Sequence, residues 1–89
     1  MKAVITVIGK DMVGILAKVS TKCAEKNINV LEVTQSILQD LFAMVMLVDL
    51  SNAAVPFADF ADELDEMGQS IHMKIHTMHE DIFHAMHRI

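Results

Sequence analysis

The chain has 89 residues, with 7 Lys plus Arg against 12 Asp plus Glu, a formal charge of −5 with histidines neutral, and 53% hydrophobic residues. That length supports one small core, burying about two-thirds of the surface the unfolded chain exposes. The acidic balance excludes a phosphate-backbone binder, whose affinity comes from Lys and Arg releasing counterions. Cys23 is the single cysteine, so no internal disulfide or paired-thiolate site forms, which suits a reducing cytoplasm. The longest apolar run, residues 41–48, is far short of the about 20 residues that a membrane-spanning helix needs. Lys2 and the apolar residues 3–8 imitate the start of a secretion signal, but Lys10 and Asp11 interrupt it and no small-residue cleavage site follows.

Residues 3–8 are rich in β-branched side chains and stop at Gly9, which predicts a strand. From Met12 the apolar period becomes helical. Met12, Ile15, Leu16, Val19 and Cys23 share one face, while Lys18, Lys22, Glu25 and Lys26 fall on others. Asn27, which tolerates left-handed backbone, closes this helix. Residues 28–38 and 41–50 read as second and third strands, joined as a hairpin across Gln39-Asp40. Ser51, Asn52 and Pro56 open a second helix with the stripe Phe57, Phe60, Ala61, Leu64 and Met67, and Gly68 ends it. Ile71, Met73 and Ile75 alternate with His72, Lys74 and His76 as a fourth strand. Thr77-x-x-Glu80 fits a capping box, in which hydroxyl and carboxylate satisfy free amides at the start of a short last helix carrying Ile82, Phe83, Met86 and Ile89.

This order predicts an α+β fold, a ferredoxin-like βαββαβ sandwich with a four-stranded antiparallel sheet and two helices on one face. Residues 1–89 are then a single domain with a C-terminal helical extension over 78–89. The other sheet face is left bare. Yet Val4 and Ile8 alternate with Ile5 and Val7, and Phe42, Met44, Met46 and Val48 alternate with Leu41, Ala43, Val45 and Leu47, so both faces are apolar. Such a patch invites association, and we expect an obligate homo-oligomer, a dimer or a tetramer, joined through sheet surfaces.

The fold alone assigns no function. One cysteine cannot make a paired-thiolate copper loop, the absence of Tyr and Trp argues against base stacking on RNA, and Arg88, the only arginine, lies far from the first loop. The junction between first strand and first helix is the conspicuous feature. Its residues Asp11-Met-Val-Gly14-Ile15, followed by Leu16 and Val19, and then Asn27-Ile-Asn-Val30, resemble the ACT domain family of small-molecule sensing modules. The length and the ending His79-Glu-Asp-Ile-Phe83 look most like its small stand-alone members of unassigned function. Val13 stands where many amino-acid-binding members carry proline, and Lys26-Asn27 where they carry glycine.

The resemblance implies a non-enzymatic, cytoplasmic regulatory module without a cofactor, without a membrane or nucleic-acid partner, and with an effector such as an amino acid. It also implies that ligand sits between copies, against Asp11, Met12, Val13, Gly14 and Ile15 of one and Asn29 of its neighbour. A helix N-terminus offers unpaired amides to a carboxylate, and glycine permits close approach. Asp11 either caps those amides or meets a ligand ammonium, because a capping carboxylate repels an arriving one. Two other readings stand beside this one. The chain is a protein-interaction subunit with an empty loop, or it holds a metal on Glu80, His84 and His87, which share a helix face at i, i+4, i+7 spacing. Against the metal stands the plain reading of these histidines as exposed polar residues. Cys23, on the apolar stripe, reads as an inert buried thiol, and no residue is assigned a catalytic role.

Overall fold

The structure, a computed structural model, describes residues 1–10 and 14–86. Its elements are β1 (Lys2–Gly9), α1 (Ile15–Glu25), β2 (Asn29–Leu38), β3 (Leu41–Asp49), α2 (Phe57–Ser70), β4 (Lys74–His79) and α3 (Glu80–Met86). The strands form one antiparallel sheet in the order β2-β3-β1-β4. This is the ferredoxin-like arrangement expected from the sequence. Among the described residues no helix is long and apolar enough to cross a membrane.

Strand register sorts the side chains into two faces. Ala3, Ile5 and Val7 lie opposite Val48, Met46 and Met44. Together with Ile75 they meet Ile15, Val19 and Cys23 of α1 and Phe60 and Leu64 of α2 in one buried core. The helical stripes therefore follow the predicted periods, with Leu16 left 37% exposed at the margin of its stripe. Asn27 closes α1 as expected. It takes φ 59, its N–H donates to the Ala24 carbonyl, and Ile28 N–H donates to the Cys23 carbonyl at 2.9 Å. Its side-chain amide also donates to the Asn52 carbonyl at 2.9 Å, tying the start of β2 to the loop before α2.

Three boundaries differ from the sequence reading. α2 does not stop at Gly68 but runs to Ser70, and a Cβ at position 68 would stand 2.8 Å from the Met73 carbonyl oxygen and 2.9 Å from Ile75 Cγ1. Glycine is there to let the incoming chain pass close to the helix. That passage uses Ile71 and His72 as a turn, with His72 at φ 60, so β4 begins only at Lys74 and His72 does not share a strand with His76. Pairing with β1 then carries β4 through Thr77, opposite Ile5, to His79, opposite Ala3. Thr77 is consequently a strand residue rather than a cap, and its hydroxyl is buried without a hydrogen-bond partner among the described residues. His79 takes over at the helix start, its Nδ1 accepting the Asp81 N–H at 3.1 Å.

The second sheet face is not bare. α3 follows β4 without a loop and lies across that face, with Phe83 and His84 over Val4, Val45 and Leu47. Val4 is only 3% exposed as a result. The uncovered apolar surface lies elsewhere. β2 is exposed along all ten of its residues, including Val30, Leu31, Val33, Ile37 and Leu38. Neither helix of the core layer buries a residue of this edge strand.

Candidate functional site

The first loop delivers the chain from β1 to α1 through Gly14. Gly14 is the N-cap of α1 with φ 74 and ψ 0, in the left-handed region that a side chain disfavours. The helix cannot start before such a residue, so α1 begins at Ile15 with Gly14 in the N-cap position. Asp11, Met12 and Val13 themselves lie outside the described residues. A Cβ at Gly14 meets nothing within 4 Å, so the backbone angle rather than crowding calls for glycine. Among the described residues no side chain caps the first turn, which also carries no acidic residue. Ile15, by contrast, is 2% exposed and anchors the helix in the core, so only its backbone is available to a ligand.

Asn29 is exposed and opens β2, opposite Asp49 of β3, which in turn lies opposite Lys2 of β1. Gly9, just before the loop, lies opposite Phe42, which faces Ile37 near the far end of β2. The loop and Asn29 are thus at opposite ends of the sheet within one chain, about 20 Å apart at roughly 3.3 Å per strand residue. Near Asn29, the Asp49 carboxylate accepts hydrogen bonds from Ser51 Oγ at 2.6 Å and Ser51 N–H at 2.9 Å, which hold its pKa below the ordinary carboxylate value. A fixed negative charge therefore stands beside the start of β2.

The other candidates separate clearly. His84 Nε2 lies 3.4 Å from Glu80 Oε1, the expected i, i+4 contact, while His87 lies outside the described residues. Among the described residues no group of three or more His, Cys, Asp or Glu is placed to hold a metal ion. Cys23 is fully buried, and burial pushes its thiol up to about 11. We expect it to resist a thiol reagent in the native protein and react at once in denaturant, followed by absorbance; rapid native labelling contradicts the burial. The raised value also fixes a sign. Only the unfolded chain gives up this proton between the ordinary 9.0 and about 11, so the thiol's contribution to stability is full below pH 9 and lost as pH rises through that window.

The sequence reading passed over the edge strand itself. Residues 28–38 were read only as a strand, and apolar positions look alike whether a partner covers them or not. Fold and loop together define a small ferredoxin-like module whose polar features are a helix mouth and a strand edge, with no cluster of catalytic groups among the described residues.

The chain belongs to the ACT domain family, whose model matches residues 2–78. ACT domains are in general regulatory modules that bind small molecules, amino acids in particular. A UPF0237 protein of Methanocaldococcus jannaschii is 48% identical over 88 residues, 99% of this chain and 98% of its own length. One from Clostridium acetobutylicum is 49% identical over 89 residues, the whole of both chains. Among solved structures, an ACT domain protein from Streptococcus pneumoniae superposes with TM-score 0.81 at 38% identity over 93% of each chain. The regulatory subunit of aspartate kinase from Thermus thermophilus, in its ligand-free form, shares the fold at TM-score 0.63 and 24% identity, covering 85% of this chain and 49% of its own.

Proposed function

We propose that this chain is a non-enzymatic, cytoplasmic sensor of an amino acid or related metabolite, with its site completed by a second copy. The observation that carries the reading is the exposed, unpaired edge of β2, with the two halves of the candidate site at its opposite ends. Two copies joined antiparallel along β2 bring the partner subunit's Asn29 to the end of the sheet where β1 ends at Gly9. The same pairing satisfies edge amides and carbonyls that otherwise face water, and covers Val33 and Ile37.

In this site the amides after Gly14 receive the ligand carboxylate, and Asn29 supplies a side-chain amide that can donate and accept. Asp11, Met12 and Val13 complete the loop, with Asp11 taking the ligand ammonium now that Gly14 occupies the cap. An anion at an exposed helix end gains only about 0.3–1 kcal/mol. Useful affinity therefore depends on closure between copies, and binding stabilises the pair by mass action. A downstream protein reads that change.

Thermal denaturation with each of the twenty amino acids tests this. At 100 times Kd a ligand adds about 2.7 kcal/mol, roughly 10–20 °C in a domain of this size. We expect a saturable rise with at least one amino acid, lost in Asn29→Ala while the mass of the assembly is unchanged. No rise across the panel, or an unchanged rise in Asn29→Ala, overturns the site.

A further inference from the structure

The docking of α3 on the second sheet face leaves a half-open groove of about 160 Å³ that neither the first loop nor Asn29 lines. Its floor is apolar, formed by Val4, Val45 and Leu47. Its β2 wall is polar, because Glu32 lies opposite Leu47 and Thr34 opposite Val45 in the sheet register. Phe83 and His84 of α3 form the opposite wall. We propose that this groove binds a small primary amine with a short apolar body, its ammonium at Glu32 and its hydrocarbon between the Val45–Leu47 floor and Phe83.

Charge selects a cation. Among the described residues no Lys or Arg lines the groove and the Glu32 carboxylate has neither an ion pair nor a hydrogen bond, whereas His84 is turned to Glu80 at 3.4 Å. Size selects a small molecule. The volume equals about five water-sized spaces, room for about six non-hydrogen atoms. Shape excludes a second sheet laid face to face, since α3 stands proud of the strands and keeps a flat partner off the floor. The wall is also preformed. α3 continues directly from β4, its first turn is held by His79 Nδ1, and the rings of Phe83 and His84 meet edge to face at 6.0 Å.

The test titrates the full chain with 3-methylbutylamine and with 3-methylbutan-1-ol, which has the same shape without the charge, following valine and leucine methyl resonances by NMR. We expect saturable shifts at Val4, Val45 and Leu47, with the alcohol at least about ten-fold weaker. Glu32→Gln, at an exposed position, should reduce the amine to the level of the alcohol, and Phe83→Ala should weaken both. Shifts that do not saturate, an amine as tight in Glu32→Gln as in the unaltered chain, or shifts confined to the surroundings of Gly14 and Asn29 overturn the proposal. The interfacial sensor engages β2 through its backbone edge and binds its ligand at the first loop and Asn29, so loss of the amine in Glu32→Gln with the amino-acid response retained separates failure of the groove from failure of the sensor.

Discussion

Phe60→Ala is expected to remove about 3–5 kcal/mol of unfolding free energy, a large share of the about 5–15 kcal/mol that a domain of this kind has in total. Phe60 is fully buried and is the largest such side chain, sitting with Leu64 of α2 in the core between helices and sheet. Truncation removes the transfer free energy of the ring and leaves a cavity that the sheet below, fixed by hydrogen bonds on both sides of β1 and β3, fills poorly. At roughly 4–8 °C per kcal/mol the midpoint falls by 12 °C or more. Urea titration at one fixed protein concentration should show a lower midpoint with an unchanged slope, since dilution also shifts the stability of an assembly. Phe57→Ala, at a half-buried position on the same helix, should cost clearly less. Equal losses at the two positions would contradict the depth at which Phe60 is placed.

What the sequence reveals is local, and what it conceals is set by neighbours that are distant in the chain. The α1 stripe and the Asn27 closure were readable because helical spacing and a tolerance for left-handed backbone are properties of the residues themselves. Gly68 misleads because glycine ends helices for one physical reason and admits close approach for another, and only the position of Met73 and Ile75 tells which applies. The capping-box pattern at Thr77 fails in the same way, since pairing of Thr77 with Ile5, far back in the chain, outweighs a local preference. Of the candidate site, the glycine at the helix mouth was read for close approach, whereas the structure requires it for its left-handed backbone. The separation of that mouth from Asn29 was not legible, because it depends on strand order. Nor does the pattern of residues 28–38 tell how exposed β2 is, or that Glu32 and Thr34 border a groove, until α3 is placed beside them.

Val33→Lys combined with Ile37→Lys is expected to raise the dissociation constant of the paired chains by about 100-fold or more, leaving each chain folded. In a single chain both positions are exposed, at 38% and 59%, so lysine there costs the fold little. Antiparallel pairing along β2 places both inside the contact, and two-fold symmetry doubles every substitution and sets lysines of one copy against those of the other. Uncompensated charge in a covered contact costs about 3–5 kcal/mol, and lysine on an edge strand is how natural sheets keep copies apart. Light scattering should report two copies for the unaltered chain and one for the variant, with unchanged far-ultraviolet circular dichroism. The amino-acid response should vanish together with the assembly, although Gly14 and Asn29 are untouched, because the halves of the site no longer meet. Ile8→Lys serves as the counter-case: it places the same charge at an exposed position on another strand, and it should leave both assembly and response intact. A variant at Val33 and Ile37 that still runs as two chains moves the contact off β2 and overturns the arrangement proposed to bring the loop and Asn29 together.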